Sequence, residues 1–219
     1  MSSSTTSILI FGRAPQEGRV KTRLGADIGM TEAADLYAQL LAYTLRMSVL
    51  PDSQRILYLP PEDRAFGEAL QTIDPTLNIG IQAGEELGER MDRAFQERFG
   101  AGDQQVLLIG SDCPYLTEHH LMDALRRFSN CDVVFGPAGD GGYYLVGQQH
   151  RAQPIFAGIP WSSPQTWLQT KKLLTQQKIT YATIPPLDDI DDLATLRRYL
   201  QSEGPCPLIL PPKLRTLLH

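Results

Sequence analysis

Short apolar runs separated by turn residues recur along the chain and predict its strands. Each run is too short for a helix and is followed by glycine, proline or polar residues, which is typical of buried strands. We assign strands to residues 7–11, 55–59, 77–81, 106–109, 131–135, 143–146 and 180–184. Apolar residues at helical spacing lie between most of these runs and predict helices over residues 31–49, 62–73, 91–100, 117–128, 163–177 and 193–204.

The alternation of strands and helices predicts an α/β fold with a mostly parallel sheet. One connection is an exception, because residues 136–142 are too few for a crossover helix. The strands on either side of it should therefore be antiparallel, which makes the sheet mixed. At the helix ends, Thr31 and Ser163 are the predicted N-caps, and Pro164 is the predicted first helical residue after Ser163.

Composition limits the classes of partner and compartment. The chain has 219 residues with a formal net charge of −5 and no basic block, so we expect no nucleic-acid partner. No segment approaches the roughly 18 apolar residues of a membrane-spanning helix, so we expect no membrane span. The three cysteines are odd in number and lack metal-type spacing, which favours a reduced compartment. We therefore predict a cytoplasmic protein with one domain over residues 1–219, comprising a core of about 7–203 and a tail of 204–219.

The segment after the first strand, residues 12–24, is rich in cations and contains two glycines. Its sequence, GRAPQEGRVKTRL, includes Gly18 and four cationic residues, namely Arg13, Arg19, Lys21 and Arg23. Glycine allows close backbone approach and cations neutralise phosphate oxygens, so the segment suits a phosphate-binding loop. The spacing of a P-loop is absent. The alternative is a solvated surface loop.

Two predicted strands end at a carboxylate. Asp112 follows the run 106–109, and Asp140 lies in the glycine-rich segment 136–142. Ligands of open α/β sheets bind beyond the carboxyl ends of the strands. Asp112 is therefore a candidate ligand for Mg²⁺ or Mn²⁺, with stabilisation of its own turn as the alternative. Asp140 is a candidate general base, or a residue that accepts hydrogen bonds from sugar hydroxyls. The alternative is that it only forms the Asp-Gly turn of a hairpin.

A third group of carboxylates precedes the last predicted helix. Four of the five residues from 188 to 192 are aspartates. Capping and compensation of the helix dipole account for one or two of them. We therefore expect Asp189 or Asp191 to provide a second metal ligand.

Six motifs, in this order, resemble a family of bacterial glycosyltransferase-A-like proteins, DUF2064, some of which are described as radical-SAM/selenodomain-associated transferases. The matching segments are FGRAPQEGRVKTRL, QAGEELGERM, LLIGSDCPYLT, DVVFGPAGDGGYYLVG, IPWSSP and DIDDL. They span most of residues 8–196. One departure is Arg13, where the family often has lysine. The layout is more distantly similar to nucleotidyltransferases of molybdenum-cofactor and F420 biosynthesis.

The resemblance implies a fold and a set of site residues. The fold would be a three-layer α/β/α nucleotide-binding domain of glycosyltransferase-A type, with one antiparallel strand in the sheet. The resemblance implies that the nucleotide is bound by Arg13, Gly18, Lys21, Arg23, Gln82 and Gly84. It implies that Asp112 binds the metal. The sugar or acceptor would be bound by Asp140, Gly141, Gly142, Tyr143 and Trp161.

Three functions remain open at this stage. The first is metal-dependent glycosyl transfer from a nucleotide-sugar to a small acceptor, which the carboxylate and tyrosine of the glycine-rich segment favour. The second is nucleotidyl transfer to a phosphorylated small molecule with release of pyrophosphate, which the basic segment favours. The third is nucleotide binding without catalysis. The sequence predicts no oligomeric state.

Overall fold

The computed structural model describes residues 6–202, 204–211 and 214. Within these residues, seven strands form one sheet in the order β3-β2-β1-β4-β6-β5-β7. The strands are β1 (Thr6–Phe11), β2 (Ser53–Leu59), β3 (Leu77–Ile81), β4 (Gln105–Gly110), β5 (Val133–Pro137), β6 (Tyr143–Gln149) and β7 (Tyr181–Thr183). The helices are α1 (Thr22–Ile28), α2 (Met30–Met47), α3 (Arg64–Ile73), α4 (Leu87–Gly100), α5 (Glu118–Arg127), α6 (Thr166–Gln177) and α7 (Leu193–Gln201), and a short 3₁₀ helix, Pro61–Asp63, precedes α3.

Strand directions confirm the predicted mixed sheet. β1 is parallel to both β2 and β4, β2 is parallel to β3, and β5 is parallel to β7. β6 is the exception, because it is antiparallel to both β4 and β5. The short connection between β5 and β6 produces this reversal, as its length requires.

Helices cover both faces of the sheet, which confirms the three-layer architecture. Alternate residues of a strand point to opposite faces. Ile8 and Ile10 therefore contact the layer formed by α2, α3 and α5, whereas Leu9 contacts the layer containing α4 and α6. A third cluster joins α1, α2 and α7. Full burial of each such aliphatic side chain stabilises the fold by about 1.5–3 kcal/mol.

Both predicted helix N-caps are wrong, and one helix was not predicted. The unpredicted helix is α1, which begins within the segment 12–24. Gly29 is both the C-cap of α1 and the N-cap of α2. Gly29 has a φ of 108°, which a glycine adopts readily, so Thr31 lies inside α2 and the predicted N-cap is wrong. The predicted N-cap Ser163 is also wrong. Its hydroxyl and carbonyl accept hydrogen bonds from the backbone N–H groups of Gln165 and Thr166, so Ser163 forms a separate turn before α6.

The described part of the tail runs along α2 and α7. The side chain of Gln39 exchanges two hydrogen bonds with the backbone of Ile209, and the Tyr199 hydroxyl hydrogen-bonds the backbone of Cys206. Residues 203, 212–213 and 215–219 of the predicted core and tail lie outside the described residues. The single domain stays a prediction. Among the positions that the structure describes, no helix has both the length and the apolarity needed to cross a membrane.

Candidate functional site

One edge of the sheet collects the loops that carry the candidate residues. Phe11 at the end of β1 pairs with Gly110 at the end of β4. Pro137 at the end of β5 pairs with Tyr143 at the start of the antiparallel β6. The loops that follow β1, β4 and β5 therefore leave the sheet on the same side, which is where parallel α/β sheets bind ligands.

Two adjoining cavities lie at this edge. The first, which we call the basic cavity, has a volume of about 400 Å³, and its wall includes Arg13, Arg19, Lys21, Gln82 and Arg90. The second, the aromatic cavity, has a volume of about 360 Å³, and its wall includes Met91, Asp140, Tyr143, Trp161 and Asp189. Four residues line both cavities: Phe11, Leu87, Gly110 and Asp112. A ligand spanning the cavities would therefore pass Asp112.

Lys21 lies between the basic cavity and the carboxylates. Its Nζ atom is 2.9 Å from Asp112 Oδ2 and 3.7 Å from Asp191 Oδ1, and its side chain is only 5% exposed. Burial alone would lower the pKa of Lys21, but the charge and hydrogen bond of Asp112, together with Asp189 and Asp191, raise it. Lys21 is therefore protonated. It also has a left-handed backbone conformation with φ 47°, which is costly for a non-glycine residue and typical of functional sites.

The other cations of the segment 12–24 have different environments. Arg13 is exposed at the basic cavity. Arg19 also lines that cavity but pairs with Glu62 at 2.8 Å and the fully buried Asp63 side chain at 3.1 Å, so it anchors the loop to the 3₁₀ helix. Arg23 is 80% exposed and pairs with Asp191. Gly18 is exposed and is not among the residues lining either cavity.

Tyr37, a residue that the sequence did not single out, holds the first loop in place. Its hydroxyl accepts a hydrogen bond from the Arg13 backbone N–H at 3.0 Å. It also lies 2.8 Å from the Ser111 hydroxyl. The loop after β1 is therefore tied to the end of β4 through α2. The signal in the sequence was only an apolar helical position, which does not reveal a polar contact.

Gln82 lines the basic cavity, and Gly84 lies in the loop next to it. Gln82 Nε2 donates to the carbonyl oxygens of Gly12 and Tyr58 at 3.2 and 2.9 Å, so its Oε1 is left as the acceptor. Arg90, which was also not predicted, donates through Nε to Gly84 O at 2.9 Å and through its guanidinium to Glu85 O at 3.1 Å. Arg90 thus shapes the loop that carries Gly84 and lines the cavity itself.

Aromatic rings form one wall of the aromatic cavity. The Tyr143 ring lies 5.1 Å from Phe135 and 6.1 Å from Trp161, both edge to face. A Cβ atom at Gly88 would overlap the Trp161 indole, so the start of α4 packs directly against this ring. The Tyr143 hydroxyl is buried next to the Thr170 side chain, away from solvent. Tyr143 therefore presents its ring, rather than its hydroxyl, to the aromatic cavity.

Asp140 forms a turn and also lines the aromatic cavity. Its Oδ1 accepts a hydrogen bond from Gly142 N at 2.9 Å, which is the predicted alternative of a simple turn. Gly141 has a φ of 90°, and its carbonyl accepts from the Trp167 N–H at 2.8 Å. Both arrangements fix the loop, and Asp140 and Gly142 line the cavity. The structural and ligand-facing roles are thus compatible.

The loop before α7 brings two more carboxylates to Asp112. The Ile190 N–H donates to Asp112 O at 3.3 Å, and Ile190 itself is buried. This contact positions Asp189 at the aromatic cavity and Asp191 at the basic cavity. The other two aspartates are structural: Asp188 pairs with Arg198, and Asp192 is the N-cap of α7.

Asp189 is the most perturbed carboxylate of the site. Burial, followed by the charges of Asp112, Asp140 and Asp191, raises its pKa to about 6, although Lys21 opposes the shift. Asp191 already pairs with Lys21 and Arg23. Repulsion between the carboxylates therefore raises mainly the pKa of Asp189.

The donor set fits a divalent cation held jointly with a ligand. Among the residues that the structure describes, no three His, Cys, Asp or Glu side chains form a metal-binding group. Mg²⁺ is commonly bound by one or two carboxylates together with substrate phosphates. Asp112 and Asp189 provide hard oxygen atoms and repel each other, and a cation would relieve that repulsion.

Comparison with known families identifies the chain. The family model described as "uncharacterized protein conserved in bacteria (DUF2064)" matches residues 44–163. The chain belongs to this family. The match begins within α2 and includes Gln82, Arg90, Asp112, Asp140 and Trp161. The basic loop and the carboxylates before α7 lie outside it. A search of curated proteins finds no significant match.

Solved structures agree with the fold of this DUF2064 protein. A protein from Desulfovibrio desulfuricans, provisionally assigned as a nucleotide-diphospho-sugar transferase, is 30% identical with a TM-score of 0.86, covering 99% of this chain and 95% of its own. The 4-diphosphocytidyl-2C-methyl-D-erythritol synthase of Anaerococcus prevotii is 11% identical with a TM-score of 0.57, covering 91% and 97%. CMP:2-keto-3-deoxy-manno-octonic acid synthetase, solved with CTP, is 13% identical with a TM-score of 0.51, covering 90% and 97%. The last two show similarity of fold alone.

Proposed function

We propose that this protein is a metal-dependent transferase that moves a sugar from a nucleoside-diphosphate donor to a small acceptor. The observation that carries the proposal is the shared position of Asp112 between a cavity lined by cations and a cavity lined by aromatic rings. A nucleotide-sugar has the same division, with phosphates at one end and a neutral sugar at the other. The 30% identical relative described as a nucleotide-diphospho-sugar transferase supports the same class.

The basic cavity would hold the nucleotide. Lys21 is protonated and buried beside Asp112, so it would bind the phosphate oxygens next to the metal, with Arg13 and Arg90 adding charge from the cavity wall. The Oε1 atom of Gln82 would accept a hydrogen bond from the base. Arg90 would keep the Gly84 loop in position through its two backbone contacts.

Asp112 and Asp189 would hold Mg²⁺ or Mn²⁺. When bound, the ion would neutralise charge on the diphosphate as it leaves. Asp191 is a weaker candidate than Asp189, because it is already paired with two cations.

Asp140 would act on the acceptor. It lies at the aromatic cavity, and its loop is fixed by hydrogen bonds from the backbone N–H of Gly142 to Asp140 Oδ1 and from the backbone N–H of Trp167 to Gly141 O. During transfer, the acceptor oxygen would form a bond to the sugar C1 atom while the bond from C1 to the phosphate oxygen breaks. Asp140 would orient the acceptor hydroxyl and take its proton, and the nucleoside diphosphate would leave with the electron pair.

Metal-dependent nucleotide binding tests the proposal. Calorimetry with UDP, GDP and their sugars, with and without Mg²⁺ or Mn²⁺, should detect binding that needs the ion. Asp112→Asn should remove the dependence on metal in a protein that still folds, with a lower thermal midpoint because the buried Lys21 loses its 2.9 Å partner. Asp35→Asn, at an exposed position of α2, is the matched control. Unchanged metal-dependent binding by Asp112→Asn would exclude Asp112 from the site. Absence of nucleotide binding by the unmodified protein would refute the proposal.

Nucleotidyl transfer is the second candidate. The observation that favours it is the concentration of Arg13, Lys21 and Arg90 around one cavity, since a triphosphate needs more positive charge than a diphosphate. Release of pyrophosphate from a nucleoside triphosphate in the presence of a phosphorylated acceptor would select this reaction over glycosyl transfer.

A further inference from the structure

Positive charge is distributed unequally between the two cavities. The basic cavity is lined by four cationic side chains: Arg13, Arg19, Lys21 and Arg90. Across the part of the chain that the structure describes, no lysine, arginine or histidine lines the aromatic cavity, although Asp112, Asp140 and Asp189 do. The two cavities therefore present opposite electrostatic environments to the two ends of a ligand.

Two cations of the basic cavity, Arg19 and Lys21, are already paired with carboxylates. Lys21, the nearest of them to the carboxylates, is fixed by its 2.9 Å contact to Asp112 and its 3.7 Å contact to Asp191. Arg19 is held by Glu62 and Asp63. A bound divalent ion would also bring no surplus charge to the acceptor, because the diphosphate of the donor neutralises it.

The remaining wall of the aromatic cavity is mostly apolar. Tyr143 and Trp161 meet edge to face at 6.1 Å, and Met91, Leu108 and Val146 complete this side. Such a wall packs well against the C–H faces of a polyol, and aromatic faces also attract cationic groups. The volume of about 360 Å³ lies at the small end of ligand sites.

We infer that the acceptor bound in the aromatic cavity is a small hydroxyl-bearing molecule without negative charge, either a neutral polyol or a cationic amino alcohol. The inference rests on the proposed transferase function and narrows its substrate class. A phosphate or carboxylate group in this cavity would face Asp140 and Asp189 without a cationic partner. A hydroxyl group can donate to Asp140 instead, and an ammonium group can pair with it.

Two series of compounds, one with six carbons and one with three, test this inference. Glucose, glucosamine, glucose 6-phosphate and gluconate, together with glycerol, serinol, glycerol phosphate and glycerate, would be titrated by calorimetry. Each titration would be run with and without saturating nucleoside diphosphate and Mg²⁺. We expect at least one neutral or cationic compound to bind with an affinity about tenfold, or more, above that of its anionic counterpart.

Two variants show whether the selection comes from the cavity. Asp140→Lys should reduce the preference against anionic compounds by about tenfold or more. Because that change also removes the turn contact to Gly142, Ser163→Lys provides a second variant that adds a cation to the wall and leaves the Asp140 turn intact. Asp35→Lys, at an exposed position of α2, should leave the preference unchanged.

The outcomes separate this inference from the proposed function. Binding of an anionic compound as tightly as its neutral counterpart, with metal-dependent nucleotide binding intact, would overturn the inference and leave the transferase proposal standing. Failure of every neutral and cationic compound to bind under the same conditions would overturn it as well. Loss of nucleotide binding itself would instead refute the proposed function, and the titrations without nucleotide would still report the preference of the cavity.

Discussion

Asp189→Asn should stabilise the protein, although it removes a residue that we assign to the site. Burial and three neighbouring carboxylates raise the pKa of Asp189 from 3.8 to about 6. The folded state therefore binds this proton more tightly than the unfolded state. Stability is lost as the pH rises from the unfolded pKa through the folded one, and the full cost of an ionised Asp189 is present above about pH 6. A neutral amide of the same shape does not carry that cost.

The magnitude follows from the size of the shift. A change of about 2 pKa units corresponds to roughly 3 kcal/mol of unfolding free energy. Asparagine retains a polar group that needs hydrogen-bond partners, so we expect a net gain of about 1–3 kcal/mol near pH 8. Near pH 4 most of the gain should disappear, because Asp189 of the unmodified protein is then largely protonated in the folded state.

Urea unfolding of both proteins at the two pH values measures this difference. Asp188→Asn is the matched control from the same loop, since Asp188 is paired with Arg198 and should show no such gain. Added Mg²⁺ should stabilise the unmodified protein near pH 8 and have a smaller effect on Asp189→Asn. An equal difference between variant and unmodified protein at both pH values would refute the assigned electrostatic cause.

Further predictions concern α4, which borders both cavities. Gly88→Ala should destabilise the protein by about 1–3 kcal/mol in urea unfolding, because the new Cβ atom overlaps Trp161. Gly100→Ala, in the same helix, is the control. Its new Cβ atom meets open space, so this change should be neutral or stabilise the protein by up to about 1 kcal/mol. An equal effect of both changes would contradict the packing argument. Arg90→Met should weaken nucleotide binding in calorimetry by about tenfold, because two hydrogen bonds to the adjacent loop are lost. Arg93→Met, one turn on, removes only a surface pair with Glu89 and should change the affinity by less than about twofold; similar losses in both variants would rule out a specific role for Arg90.

The sheet was predictable because strand burial follows directly from apolar runs. The reversal at β6 also followed from chain length alone. α1 was not predictable on the same basis, since it has only seven residues and follows Lys21 in a left-handed conformation. Its buried residues, Leu24 and Ile28 among them, are too few to establish a helical period. Gly29 serves both α1 and α2, so the boundary depends on packing between these helices.

The position of a candidate residue was predictable where it follows a strand end, and less so where its contact partner is distant in sequence. Asp112 and Asp140 could be placed from the strands that precede them. The pairing of Arg19 with Glu62 and Asp63 spans more than 40 residues, so the sequence could not separate it from the other cations of the loop. Tyr37 and Arg90 were missed for the same reason, because their contacts to Ser111 and Gly84 arise only when separate elements pack together.

The residues shared by the two cavities also affect how ligands would bind together. Asp112 and Gly110 belong to both walls, so a ligand in one cavity becomes part of the surface of the other. On the proposed function, occupancy of one cavity would therefore be thermodynamically coupled to occupancy of the other. The factor by which the nucleotide changes the affinity for the acceptor must equal the factor by which the acceptor changes the affinity for the nucleotide. On the proposed function, the acceptor takes the sugar directly from the donor, so transfer would occur from the ternary complex in which both ligands are bound at once.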